Sequence, residues 1–166
     1  MTTTYPIKAP LYAITKATNY LPNVLMQMEA KEAGFDNGVF IDENGNIGES
    51  SNMNLAFVSR DGVFMHPKFD RVLAGCTSLR LLELARTLQD QGLITGVDVR
   101  DIPVAEARAS REMLLLGSSV KVAPVVQWDT QPIGSGKPGP VAAALLRLLE
   151  DDMRRSDRLI DVPYTP

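Results

Sequence analysis

The sequence has very few of the residues that build disulfide or metal sites. Among its 166 residues there is one cysteine, Cys76, and one histidine, His66. A single cysteine excludes a disulfide within the chain, and one histidine far from one cysteine lacks the ligand spacing of a zinc site. His66 stands beside Pro67 at the end of an expected strand, which is more typical of a packing histidine than of a ligand. We therefore expect no metal.

Long apolar runs and an excess of charge of one sign are also missing. The formal net charge is −3, with acids and bases interspersed. No run reaches the roughly 20 apolar residues of a membrane-spanning helix, and no basic stripe is present to attract nucleic acid. Residues 1–6 have neither the apolar core of a signal peptide nor an Arg/Ser-rich transit segment. These absences predict a soluble intracellular protein, cytoplasmic by default, without membrane or nucleic-acid partners.

The composition and the apolar patterning of the chain predict one α+β domain. With 45% hydrophobic residues the chain can bury an ordinary core. Apolar alternation and turn residues predict a twisted, mostly antiparallel sheet that curls towards a barrel, with helices outside it. The expected strands are residues 11–15, 38–42, 47–49, 55–59, 63–66, 97–102, 113–116, 120–127 and a short strand ending at residue 134. The expected helices begin near residue 22 and cover residues 78–91, 104–109 and 141–155.

The glycine-rich segment 134–140 is the one stretch that looks like a phosphate loop. It lacks the spacing of a Walker motif, and Pro140 suits the first turn of the helix that follows. We therefore interpret this segment as a hinge or a helix cap.

Lys16 occupies a position from which a side chain can enter a cleft. It lies between the apolar run 11–14 and a helix that begins near Pro22, whose missing N–H costs nothing in a first turn. Most lysines are solvated surface charges, so the position alone is weak support for a function. Its significance depends on the polar groups that come later in the chain.

Three later loops carry polar groups at the ends of expected strands or helices. Glu49 ends a strand, residues 75–77 precede a helix, and residues 117–119 break a strand with two serines. Glu49 could instead cap a turn, and residues 75–77 could be an ordinary helix N-terminus. Taken together, a lysine, an acid and an anion site lined by N–H and hydroxyl groups are the parts that hold pyridoxal 5′-phosphate (PLP). The lysine would form a Schiff base, the acid would keep the pyridine nitrogen protonated, and the loops would bind the phosphate.

Four segments, in this order, resemble the fold-type IV PLP enzymes, which include branched-chain aminotransferases, D-amino-acid transaminases and aminodeoxychorismate lyases. The segments are Lys16-Ala-Thr-Asn-Tyr20-Leu-Pro-Asn, Glu49-Ser-Ser-Asn-Met-Asn54, Leu73-Ala-Gly-Cys-Thr77 and Gly117-Ser-Ser-Val-Lys-Val-Ala-Pro-Val125. The residues in these segments most resemble the plant-type D-amino-acid transaminase branch. Many members read Gly-Ile-Thr-Arg at the third segment, whereas here Ser78 follows Thr77 and the arginine comes at Arg80. That departure weakens an assignment to the branched-chain group.

The resemblance implies a role for each matching residue. Lys16 matches the Schiff-base lysine that also moves the proton, Tyr20 the tyrosine that hydrogen-bonds the cofactor's phenolic oxygen, and Glu49 the acid at the pyridine nitrogen. Leu73 matches the apolar residue packed on the ring. The residues implied at the phosphate are Gly75, Cys76 (through its backbone N–H), Thr77 and Ser118. Those implied at the substrate carboxylate are Ser119 and Val120.

The resemblance also implies a function and an organisation. The protein would transfer an amino group between a D- or branched-chain amino acid and a 2-oxo acid. The alternatives are aminodeoxychorismate lyase activity and a truncated, non-catalytic homologue. Family members are about twice as long, so we expect only the large C-terminal domain. It would comprise residues 11–155, with 1–10 as a linker or extension and 156–166 as a tail. A homodimer is expected, and the plant-type branch adds the plastid as a location.

Overall fold

A five-stranded sheet forms the centre of the fold. The computed structural model describes residues 1–163. The strands are β1 (Asn54–Val58), β2 (Val63–His66), β3 (Gly96–Val99), β4 (Glu112–Gly117) and β5 (Lys121–Val125), in the spatial order β3-β2-β1-β4-β5. A separate hairpin joins β6 (Gln127–Trp128) to β7 (Gln131–Pro132).

The sheet is mostly antiparallel, as the sequence predicts. Among the strands of the described residues, only β2 and β3 pair in parallel. Within the described residues β3 and β5 are edge strands, so the sheet is open and does not form the predicted barrel. Pro124 is consistent with this position, because a proline cannot donate a ladder hydrogen bond and is tolerated on an edge strand.

Within residues 1–163, five helices accompany the sheet. They are α1 (Pro10–Ala13), α2 (Leu21–Glu32), α3 (Cys76–Asp90), α4 (Val104–Arg108) and α5 (Pro140–Arg155). Gly34 and Gly92 follow α2 and α3 with φ of +80° and +72°, the left-handed conformation that often ends a helix. The four helices expected from the sequence are therefore present.

Three of the predicted strands are not strands in the structure. Residues 11–15 fall largely within helix α1, because Pro10 fixes a helical φ at its first position and the run is too short for its apolar content to decide between helix and strand. Segments 38–42 and 47–49 are joined by one isolated bridge, between Ile41 and Ile47, around a turn with Gly45 at φ +78°, and Val39 forms another isolated bridge with Thr2. The predicted Asn-Gly turn is thus present, but its flanking strands are not continuous.

The sheet is buried on both faces, which explains why residues 55–58 of β1 and 113–116 of β4 are all apolar. In β1, Ala56 and Val58 pack with helices α3 and α5, whereas Leu55 and Phe57 pack on the opposite face around Trp128. Every residue of β1 is buried. The rigid centre formed in this way fixes the loops that leave β1, β4 and the start of α3.

The two ends of the described chain differ in their contacts. The Met1 ammonium donates to Asn37 O at 2.8 Å, and the Thr2 N–H donates to Asp129 Oδ1 at 2.7 Å, so residues 1–2 lie against the domain. After α5, most residues up to Pro163 are exposed. The last three residues of the predicted tail, 164–166, lie outside the described residues.

Candidate active site

One cavity of about 380 Å³ brings the predicted site residues together. It lies between the segment joining α1 to α2, the loop before β1, the loop before α3 and the turn between β4 and β5. Its walls include all eight residues predicted for catalysis and cofactor binding: Lys16, Tyr20, Glu49, Leu73, Gly75, Cys76, Thr77 and Ser118. Ser119 and Val120, predicted at the substrate carboxylate, are exposed in the same turn but do not line this cavity.

Glu49 provides a buried carboxyl group at one wall. Its Oε2 accepts the backbone N–H of Leu73 at 3.1 Å, and its Oε1 lies 3.2 Å from the Lys8 ammonium. Burial raises the pKa of Glu49 above its ordinary value, and the positive charge of Lys8 partly opposes this effect. The ion pair and the amide N–H fix the carboxyl group in one orientation.

Lys16 and Tyr20 form a second, exposed wall of the cavity. Both side chains are exposed and both line the cavity. The Tyr20 hydroxyl donates to Ser51 O at 2.7 Å. Burial of the ring's inner part raises the pKa of Tyr20, and the nearby Glu49 adds to the shift, so the hydroxyl keeps its proton at neutral pH. It donates to the backbone here, and its oxygen retains acceptor capacity towards the cavity.

The loop before α3 offers a site for an anion. Gly75 is the N-cap of this 15-residue helix, and the first N–H groups of a helix have no partner within it. Together with the helix dipole they favour negative charge at Cys76 and Thr77. Both residues line the cavity, as does Ser118 from the turn between β4 and β5.

The Asn54 side chain holds this loop in place through two hydrogen bonds. Its Nδ2 donates to Leu73 O at 2.8 Å, and its Oδ1 accepts the Ser78 hydroxyl at 2.9 Å. Asn54 and Ser78 are buried. A Cβ at Gly75 would overlap Asn54 Oδ1, so only glycine permits this close approach.

Two contributors to the site have no role in the sequence-based prediction. Lys8 falls in the segment interpreted as a linker, and nothing in the local sequence indicates that it contacts Glu49, 41 residues later. Asn54 belongs to a motif that carries the family resemblance, but only the structure shows its contacts with Leu73 and Ser78.

The residues present fit PLP. An acid lies at one wall for the ring nitrogen, a helix N-terminus and hydroxyl groups face the same space for the phosphate, and a lysine amine is within the same cavity. Leu73 supplies an apolar surface between the acid and the anion loop. The fold and the site therefore define a domain suited to an anionic, ring-bearing aldehyde cofactor.

Comparison with known proteins places the chain in a family. It belongs to the class IV amino-transferases, whose family model matches residues 5–128. A D-amino-acid transaminase, chloroplastic, from Arabidopsis thaliana is 47% identical over 99% of this chain and 45% of its own length. The branched-chain-amino-acid aminotransferase of Escherichia coli K12 is 32% identical over 74% of this chain and 38% of its own length.

Solved structures agree on the fold. A T.th. branched-chain amino acid aminotransferase, complexed with N-(5′-phosphopyridoxyl)-L-glutamate, superposes with a TM-score of 0.83 at 30% identity, over 94% of this chain and 52% of that one. The enzyme from Escherichia coli gives a TM-score of 0.81 at 27% identity, over 90% of this chain and 50% of that one. The chain thus spans about half the length of the relatives it matches. The family resemblance predicted from the four motifs is confirmed.

Proposed function

We propose that this chain binds PLP in the cavity between Lys16 and Glu49 and takes part in transamination between an amino acid and a 2-oxo acid. The convergence of eight predicted residues on one cavity, in a class IV amino-transferase domain, is the observation that carries the proposal. When bound, PLP supplies an electron sink that stabilises negative charge at the substrate Cα.

Each residue then has a separate task. The Lys16 amine would hold the cofactor covalently and would move a proton to and from the substrate Cα. Glu49 holds a proton at the pyridine nitrogen, from a buried position where its charge is poorly screened. The Tyr20 hydroxyl lies beside the loop that follows Glu49, where it donates to Ser51 O. From this position it would orient the cofactor ring by a hydrogen bond to the phenolic oxygen of the cofactor.

The anion loop would take the phosphate. Backbone N–H groups at Cys76 and Thr77, with the hydroxyls of Thr77 and Ser118, are donors on one side of the cavity. Gly75 permits the close approach of Asn54, and Leu73 would pack on the ring. The turn residues Ser119 and Val120, further out, are proposed to meet the substrate carboxylate.

The relatives favour transamination over the lyase alternative. Those reported above are named as transaminases, and the 47% identity to the Arabidopsis protein supports a D-amino acid as donor over a branched-chain one. The name of that relative also supports a plastid location. Within residues 1–163, no helix is long and apolar enough to cross a membrane.

The proposed partner is a second copy of the chain. Large apolar side chains are exposed along α1 and α2: Leu11, Tyr12, Ile14, Leu21, Val24 and Met28. An apolar surface of this kind favours association. Light scattering across a concentration series should show a dimer, and a monomer at every concentration would contradict this part of the proposal.

The test of the function is chemical labelling. PLP is added to the purified chain, the absorption spectrum is recorded, and borohydride reduction is followed by peptide mapping. We expect a visible band and a phosphopyridoxyl group on Lys16, both lost in Lys16→Ala and retained in Lys137→Ala, where an exposed lysine outside the cavity is removed. Absence of the band, or label scattered over surface lysines, would mean that the chain is a non-catalytic homologue. Assays with D- and L-amino acids then decide the substrate.

A further inference from the structure

The cavity contains a second lysine, whose environment differs from that of Lys16. The Lys8 side chain is only 11% exposed, whereas Lys16 is exposed. The Lys8 ammonium lies 3.2 Å from Glu49 Oε1, and the Glu49 side chain is only 7% exposed. Lys8 is thus a largely buried ammonium paired with the one acid that lines the cavity among the described residues.

A carboxylate in this position needs such a partner. Removing a carboxylate from water strongly favours its neutral form unless a cation or several donors compensate. The groups that face Glu49 are Lys8, the Leu73 N–H, Lys16 and the Tyr20 ring. Lys16 is exposed, so water screens its charge. Lys8 is the cation in direct contact.

We propose that Lys8 is a positioning residue that keeps Glu49 ionised and oriented towards the cofactor's ring nitrogen. This inference rests on the proposed function. The contacts leave room for that nitrogen, because each carboxylate oxygen can accept two hydrogen bonds. Lys8 uses one acceptor site on Oε1 and Leu73 one on Oε2. Lys8 therefore supports Glu49 without blocking it.

The first test uses the cofactor-free protein. The side-chain carboxyl carbons of glutamate are labelled with ¹³C, the Glu49 signal is assigned by its loss in Glu49→Gln, and its titration is followed by NMR. In Lys8→Met we expect the titration midpoint of Glu49 to move to higher pH. Lys8→Arg, which keeps the charge, should stay near wild type, as should Lys31→Met, which removes an exposed lysine elsewhere. An unchanged midpoint in Lys8→Met overturns the proposal.

The second test measures PLP affinity by absorbance titration. Lys8→Met should weaken PLP binding about tenfold, because removing one member of a buried ion pair leaves the other uncompensated. Lys8→Arg should change it much less. Tighter binding in Lys8→Met would show that Lys8 competes with the ring nitrogen for Glu49, which also overturns the proposal. If wild type binds no PLP, the proposed function fails, and the titration of Glu49 still decides the role of Lys8.

A double variant covers the case in which Lys8→Met folds poorly. Lys8→Met/Glu49→Gln removes both charges, so it should be more stable in urea than Lys8→Met alone. If the double variant is no more stable than the single one, the two residues are not coupled and the proposal is refuted.

Discussion

Removing the Asn54 side chain should destabilise the fold and the anion loop together. In Asn54→Ala, Leu73 O and the Ser78 hydroxyl lose their partners, at 2.8 and 2.9 Å. Ser78 is fully buried, so water cannot replace the bond there without entering the core. An unsatisfied buried polar group costs about 1–3 kcal/mol, so the two groups predict a loss of about 2–6 kcal/mol in the free energy of unfolding.

Urea denaturation of the cofactor-free chain measures this loss, and absorbance titration measures the accompanying change in PLP affinity. Asn44→Ala is the matched control, since Asn44 is exposed in a turn and uses its backbone N–H, not its side chain, in the bond to Asp42. Its effect should stay within about 0.5 kcal/mol. A double-mutant cycle with Ser78→Ala should recover part of the loss, because it removes one of the orphaned groups.

Two results would refute the reasoning about Asn54. If Asn54→Ala lowers stability by no more than the Asn44→Ala control, its hydrogen bonds do not hold the loop. If stability falls but PLP affinity is unchanged, the loop before α3 does not bind the phosphate, and the anion site must be sought elsewhere in the cavity.

Three further predictions concern single residues. Glu112→Ala should lower the melting temperature by about 5–15 °C, because this buried side chain accepts the first two N–H groups of α5 at 3.0 and 2.9 Å; an unchanged melting curve would contradict the cap. Gly75→Ala should weaken PLP binding, measured by absorbance, since its Cβ would push against Asn54 Oδ1; wild-type affinity would show that the loop has room. Burial lowers the pKa of His66 to about 4, so the unfolded chain binds the extra proton first as pH falls. Unfolding free energy should drop by about 1.5 kcal/mol between pH 6.5 and 5, and His66→Phe should abolish that part of the slope.

The sequence predicts the fold best where the same apolar periodicity continues over a long segment. Helices α3 and α5 repeat apolar residues over four turns and end in recognisable signals, so they are found close to their predicted bounds. The run 11–15 has no such length, and Pro10 decides its structure locally. The parallel pairing of β2 with β3 joins segments more than 30 residues apart, which no local pattern specifies.

The site follows a similar rule. Residues within ordered motifs, such as Lys16, Glu49 and Thr77, are recognisable because each motif keeps its spacing. Lys8 has no motif, and its contact with Glu49 depends on the path of the chain before α1. His66 was expected to be a packing residue, and the structure agrees: its ring is fully buried against Phe69, and its Nε2 has no hydrogen-bond partner among the described residues.

The two walls of the cavity have unequal exposure, and this separates binding from turnover. Glu49, proposed at the ring nitrogen, and Asn54, which holds the loop before α3, lie in the buried wall, where each is 5% exposed. The reacting amine of Lys16 lies in the exposed wall, beside a Tyr20 that is 40% exposed. Preorganised donors bind without further closure, but proton transfer at Lys16 gains much of its rate from orientation and water exclusion. Cofactor binding and labelling of Lys16 therefore test what this chain does by itself, whereas turnover also tests whatever covers the exposed wall.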